Sequence, residues 1–295
     1  MHSYDKVDIC CIGHITLDKI ITPHNEVYMN GGTSFYFSYG IHHLPSKVSY
    51  KLVTSMAEKD MAVVEDMRAA GIDVVCHKSR DTVFFENKYG ANQNNRTQRV
   101  LSKSDPFTKS QLKDIDARIF HFGSLLDDDF SVDLIKDVAK RGMVSIDVQG
   151  FLREVRNRHV YAVDWADKFE VLSHTDILKL NEHEMEVVTG LKSPREVAKK
   201  IASWGVREVV VTLGSYGSLI YAEGNFYEIP AYPPHETIDA TGCGDTYSAG
   251  YLYCRAQGRP YDECGRFAAA MCTLKLEHNG PFEGTIDDIN TIIKA

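Results

Sequence analysis

Short apolar runs alternate with longer amphipathic stretches along most of the chain. Val7 to Ile15, Val48 to Thr54, Val74 to Cys76, Arg118 to Gly123, Met143 to Val148, Asp176 to Leu180 and Glu208 to Leu213 read as buried strands, apolar and often β-branched. Between them Phe35 to Leu44, Asp60 to Ala70, Val132 to Lys140 and Ser193 to Trp204 read as helices, the last three closed by Gly71, Gly142 and Gly205. Two more helices, Thr246 to Gln257 and Tyr261 to Leu276, are separated by Gly258 and Pro260. Strand and helix in alternation predict a mainly parallel sheet covered on both faces, an α/β fold.

The rhythm breaks once. Thr82 to Tyr89 and Thr97 to Ser102 read as a hairpin around the polar loop Gly90 to Arg96. With the extended stretch Lys19 to Asn30 it makes a small second sheet, either a lid that excludes water from a ligand or a plain surface hairpin. Ser218 to Tyr221 and Phe226 to Ile229 form another hairpin around Gly224, which leads through Pro230, Pro233 and Pro234 to the next segment.

Composition narrows the class. With 295 residues, 43% hydrophobic and 25% charged, the chain suits one large α/β domain or two smaller ones. A net charge of −8 argues against a general binder of nucleic acid or acidic membranes. Seven cysteines without CxxC or zinc-ligand spacing, behind a polar start too short for a secretion signal, suggest reduced thiols and a cytoplasmic location. No run has the length of a membrane span.

The chemistry centres on Asp239-Ala240-Thr241-Gly242-Cys243-Gly244-Asp245. Two glycines one residue apart allow a tight turn that presents several N–H groups to an anion at the start of a helix. Asp245, at the end of that turn, can take a proton from an attacking hydroxyl, or it can simply cap the helix. A positive cradle beside a base suits phosphoryl transfer.

This string closely resembles the C-terminal signature of the ribokinase-like (PfkB) carbohydrate kinases, with Cys243 where alanine is usual. The resemblance spans nearly the entire chain. It implies a three-layer αβα sandwich forming a single kinase domain, 1–295, with lid segments at about 17–31 and 82–102. It also implies ATP-dependent phosphorylation of a hydroxyl on a small sugar or polyol, with Asp245 as base and the backbone of Gly242, Cys243 and Gly244 as anion hole. Mg²⁺ is the expected cofactor, a monovalent cation a further candidate, and a homodimer through the lid a candidate assembly.

Other strings fill in the site. Gly13 to Asp18 resembles the family's early G-x(4)-D, whose Asp binds sugar hydroxyls. Gly31-Gly32 resembles its glycine pair, with Tyr36 where the family commonly has an asparagine against substrate; Phe35, Tyr36, Phe37 and Tyr39 are otherwise core aromatics. Asn181-Glu182-His183-Glu184 resembles N-x-x-E, in which Asn181 and Glu184 hold waters around Mg²⁺, or else form a helix cap and capping box. Thr212-Leu213-Gly214-Ser215-Tyr216-Gly217 resembles the stretch beside ATP, joined by Asn181, Thr241, Gly242 and Gly244 as donor contacts. Asp147-Val148-Gln149 through Arg153, with Arg96 to Leu101, look like the branch that includes plant inositol kinases, so that Gln149, Arg153 and Arg99 (or Arg96) reach the acceptor; Arg153 is equally readable as a surface helix residue. A nucleoside or sugar phosphate is the alternative acceptor, and a metabolite sensor without turnover the alternative function. A dinucleotide oxidoreductase is disfavoured, because after Gly13 the chain runs His14-Ile15-Thr16 with no G-x-G-x-x-G.

Overall fold

The apolar runs pair into strands whose side chains alternate between two helical layers. The computed structural model describes residues 6–89 and 96–294; the loop expected between the hairpin strands lies, from 90 to 95, outside the described residues, as does the Arg96 side chain. In chain order the strands are β1 (Val7–Ile12), β2 (Thr16–Ile21), β3 (Glu26–Gly31), β4 (Tyr50–Met56), β5 (Val74–Lys78), β6 (Val83–Tyr89), β7 (Arg96–Ser102) and β8 (Ala117–Gly123). They continue with β9 (Met143–Asp147), β10 (Arg153–Arg156), β11 (His159–Ala162), β12 (Ile177–Asn181), β13 (Glu208–Thr212), β14 (Ser218–Ala222) and β15 (Asn225–Ile229). The helices are α1 (Thr33–His42), α2 (Ala62–Ala69), α3 (Lys109–Leu112), α4 (Val132–Val138), α5 (Lys168–Leu172), α6 (Glu182–Thr189), α7 (Pro194–Ser203), α8 (Cys243–Ala256), α9 (Tyr261–Leu276) and α10 (Ile286–Lys294).

Among the described residues, nine strands form one sheet in the order β15-β14-β13-β12-β9-β8-β1-β4-β5. From β13 to β5 every pairing is parallel, and β14 and β15 add an antiparallel edge. Alternation sends Ile9, Cys11, Ile119 and Val210 into one apolar cluster with α1, α8 and α9, and Cys10, Ile12, Phe120 and Val211 into a second with α4, α6 and α7. A sheet buried on both faces follows from strands apolar at successive positions. The C-terminal ends of the parallel strands are thereby left as the edge at which polar side chains can gather.

The second sheet, β10-β11-β7-β6-β2-β3, is larger than the sequence suggested. β10 and β11 escape a pattern reading because Arg153 to Ala162 is charged and mostly exposed on its outer side. They turn through Asn157 and Arg158, both with positive φ (50° and 67°), the handedness a tight two-residue hairpin requires. Arg153 therefore starts a strand rather than decorating a helix. The expected strand through Ile15 likewise stops at Ile12, and Asp18 belongs to β2 of the small sheet. Val83, Phe85 and Val100 on its inner face pack on Leu125 and Leu126 of the loop after β8, which ties the two sheets together.

Candidate active site

A cavity of about 1380 Å³ opens between the small sheet and the C-terminal strand edge of the large one. The residues expected from sequence that line it are Asp18, Gly32, Tyr36, Gln149, Arg153, Thr241, Gly242 and Asp245. They come from β2, the α1 entry, the turn after β9 and the loop before α8, so four well-separated stretches of chain meet here.

The anion loop is backbone made rigid. Gly242 caps α8 with φ 77°, and a Cβ there would lie 2.3 Å from the ring of Tyr36, so glycine is required both by conformation and by the ring packed on it. Tyr36 is buried, and its hydroxyl has no hydrogen-bond partner among the described residues, although it lines the cavity. Burial, then the charges of Asp239, Asp18 and Asp245, push its ionisation upward, so it is a neutral hydroxyl. A Cβ on Gly244 would stand 3.1 Å from Lys179 Nζ, which places a cation directly beneath the loop. The Cys243 backbone is engaged within the protein: its N–H donates to the Ala240 carbonyl at 3.2 Å and its carbonyl accepts from Cys272 Sγ at 3.2 Å, while burial lifts its thiol to about 11.

Lys179, which sequence reasoning missed, comes from β12 and is buried. Its ammonium donates to Asp147 Oδ2 at 2.5 Å. Burial alone would raise Asp147, but Lys179 outweighs it and holds the carboxyl below its usual range. Around this pair the charges do not balance: Asp147, Glu184 and Asp245 face Lys179 and Arg153. Desolvation, then the Asp147 charge, raise Glu184, and the same two causes raise Asp245 to about 7, against Lys179, a Thr33 hydroxyl and Arg153. His121 beneath them is pushed down to about 4 by burial and carries no charge at neutral pH. The signal for Lys179 was a lone lysine inside an apolar strand, a position that burial makes costly without a partner.

Asn181 and Glu184 form a capping box. Asn181 Oδ1 accepts from the N–H groups of His183 and Glu184 at 2.9 and 3.1 Å, and Glu184 Oε2 accepts from the Asn181 N–H at 2.9 Å. The surplus of carboxylates beside them nonetheless suits a divalent cation, which would relieve the repulsion that raises Glu184 and Asp245. Among the described residues, no three His, Cys, Asp or Glu side chains cluster as a direct metal cage.

Thr212 stands opposite Asn181 in the strand register, with Gly214, Ser215 and Gly217 following on the same edge, outside the lining of the large cavity. Gly217 was expected to admit a nucleotide, but its close approach is made by the chain itself, since a Cβ would lie 2.1 Å from the Ile229 carbonyl oxygen. Gly31 also lies outside the lining and seats Asp18: a Cβ there would meet Asp18 Oδ2 at 2.6 Å.

Arg99 requires a correction. It pairs with Glu86 across the β6–β7 ladder, Nη1 to Oε1 at 3.2 Å, while the next pair in register, Asn87 and Gln98, lines the cavity. Successive residues of a strand face opposite ways, so Arg99 points out, and the positions of these two strands that face the cavity are Asn87 and Gln98. Gln98 Nε2 donates to Asn87 Oδ1 at 2.9 Å, and Asn87 is almost fully buried. Thr16, its hydroxyl buried without a partner among the described residues, joins them in the lining. Neither amide stood out in sequence, because polar residues in a half-exposed strand are unremarkable until the pairing is known.

The arrangement is that of a kinase of the ribokinase type, and the chain belongs to the pfkB family carbohydrate kinases, whose sequence profile matches residues 61–287. It is similar to the cytidine kinase of Thermococcus kodakarensis, 27% identical over 292 residues, 95% of this chain and 100% of that one. Among solved structures, it resembles a pyrophosphate-dependent kinase in the ribokinase family complexed with a pyrophosphate analog and myo-inositol: TM-score 0.85, 28% identity, 96% of this chain and 99% of the other. Arabidopsis thaliana ribokinase, complexed with ribose and ATP, shares the fold at TM-score 0.80 and 18% identity, over 98% and 99% of the two chains. No helix among the described residues is long and apolar enough to cross a membrane.

Proposed function

We propose that this protein transfers the γ-phosphoryl group of ATP to one hydroxyl of a small polyol or sugar, with myo-inositol the first acceptor to try. The observation that carries the reading is the meeting, across one cavity, of a raised carboxyl and a backbone anion seat with a ring of hydroxyl-binding groups: Asp18, Asn87, Gln98, Gln149 and Arg153. Amides and carboxylates in such number suit a ligand with hydroxyls on several sides.

Asp245 accepts the proton of the attacking hydroxyl as its oxygen bonds to the γ-phosphorus and the bond to the bridging oxygen breaks, releasing ADP. Charge on the three transferring oxygens is met by the N–H groups at the start of α8 and by Lys179 beneath Gly244. The small sheet covers the acceptor and keeps water from competing for the phosphoryl group. Bound Mg²⁺, held through water near Asn181 and Glu184, would supply neutralisation of the donor phosphates.

A second reading concerns the donor. Likeness over 96% of the chain to a pyrophosphate-dependent kinase favours pyrophosphate, and so does the position of Thr212, Gly214, Ser215 and Gly217 outside the cavity that contains the anion loop. One experiment separates the readings: myo-inositol, ribose, fructose, a hexose phosphate and cytidine, each with Mg²⁺ and either ATP or pyrophosphate, with Asp245→Asn as control. ADP or phosphate release that requires one acceptor and collapses in the control supports the chemistry and names both substrates. Acceptor binding by calorimetry, with no turnover from either donor, would favour a metabolite sensor instead.

A further inference from the structure

Lys275 stands in the last turn of α9, and its side chain is completely buried. An ammonium stripped of water is tolerated only where oxygens replace its hydration shell. Its three protons have three acceptors: the Asp239 carbonyl at 2.9 Å, Asp239 Oδ2 at 3.2 Å and the His278 carbonyl at 3.3 Å. Asp239 opens the anion loop, and its second oxygen, Oδ1, accepts from the Thr241 N–H at 2.9 Å, one residue before Gly242. The N–H groups of Ile238 and Asp239 both reach the Leu276 carbonyl, at 2.7 and 3.2 Å, closing the same knot. One buried cation thus links the end of α9 to the loop whose amides face the phosphoryl group.

Two carbonyls and a carboxylate around a dry cavity are also the kind of oxygen set that strips and holds an alkali cation. Here the ammonium occupies it. We propose that Lys275 is the positioning residue of the anion loop, and that its ammonium takes the place of a monovalent cation, so that the protein works without one. Lys275 touches no substrate; it acts through Asp239 and Thr241 on the orientation of the Gly242–Gly244 amides. The kinetic part of the test rests on the kinase reading above, whereas the thermal part does not.

The test compares wild type, Lys275→Ala and Lys275→Arg in potassium, ammonium, sodium and tetramethylammonium chloride at equal ionic strength. Initial rates use the donor and acceptor found by the panel, and thermal unfolding is followed in the same salts without substrate. Wild type should keep its rate and its unfolding midpoint in all four salts. Lys275→Ala should lose about 30-fold in kcat with little change in KM, and regain about fivefold in potassium or ammonium but not in tetramethylammonium. Its midpoint should rise by about 2 °C or more in those two salts, as binding to the native state requires. Lys275→Arg, too large for the cage, should lose activity without salt rescue.

Activation or stabilisation of wild type by potassium would overturn the proposal, and so would a Lys275→Ala protein indifferent to salt in both rate and midpoint. If Lys275→Ala does not fold, Lys275→Gln replaces it, and the wild-type salt comparison still decides. If no acceptor is turned over, the kinase reading fails, while the unfolding midpoints still test the cation cage.

Discussion

The anion loop and the small sheet face each other across one cavity, yet they are built in opposite ways. The loop makes its surface from backbone, and each glycine is clamped by a buried side chain from elsewhere: Tyr36 on Gly242, Lys179 below Gly244, with Lys275 at the root. The sheet makes its surface from side chains on alternate strand positions, Asp18, Phe85, Asn87 and Gln98, while the other face bears charged pairs such as Glu86 with Arg99. Backbone contacts suit the invariant part of a reaction, the charge of a phosphoryl group. Side-chain contacts suit the variable part, the pattern of hydroxyls on the acceptor. Damage to the loop should therefore cost rate on every acceptor, whereas damage to the sheet should change which acceptor, or which hydroxyl, is used.

The largest effect should come from Asp245→Asn, which keeps the shape but removes the base. It is expected to lower kcat by about 10³-fold for whichever acceptor the panel identifies, with KM nearly unchanged. Gly242→Ala comes next: a methyl group driven into the Tyr36 ring, at a φ that alanine resists, should cost about 10²-fold in kcat on all acceptors alike. Equal losses across acceptors are the point of that measurement. A loss confined to one acceptor would break the contrast between loop and sheet.

The pH profile should show Asp245 itself. Its carboxyl is raised from 3.8 to about 7, by burial first and then by Asp147, and only the carboxylate can accept a proton. The free enzyme's kcat/KM should therefore fall about tenfold per pH unit below that value and level off above it. The same shift has a sign for stability: between 3.8 and about 7 the folded chain binds more proton than the unfolded one, so stability from this group is lost as pH rises through that window. Asp245→Asn should remove that dependence in denaturant titrations at several pH values.

On the sheet side, Asn87→Leu and Gln98→Leu should leave kcat on the best acceptor within about tenfold, yet change the relative kcat/KM among acceptors or the position of the product phosphate, read by phosphorus NMR. A uniform loss on every acceptor would make the pair structural and break the comparison from the other side. The smallest effect belongs to the outer edge of the sheet. Arg158→Gly, which relieves a φ of 67° in the β10–β11 turn, should raise stability by about 0.5 kcal/mol with no change in any rate, as measured by urea unfolding.

How much of this was legible beforehand depends on where each feature stores its information. The parallel core was readable because a strand buried on both faces must be apolar at nearly every position, as in Glu208 to Leu213, and the anion loop was readable because a backbone turn of that shape demands its glycines. Asp245 came with the loop, being three residues past its cap. The small sheet was half readable: β2, β3, β6 and β7 alternate or extend visibly, but β10 and β11 are short, charged and joined by Asn157 and Arg158 rather than by a glycine turn.

Which way side chains point, and which charge neutralises which, emerged only with the folded chain. A shift of one residue along a strand exchanges its faces, so sequence could not choose Asn87 and Gln98 over Arg99; the β6–β7 register and its place over the cavity did. Lys275 reads as an ordinary lysine, and Lys179, though conspicuous in an apolar strand, does not reveal its partner, since nothing local records that Asp147, 32 residues away, or Asp239, 36 residues away, will meet them in a dry interior. Periodicity and glycine placement act over a few residues and can be read along the chain. Charge compensation acts across space, and it exists only once the fold has brought the partners together.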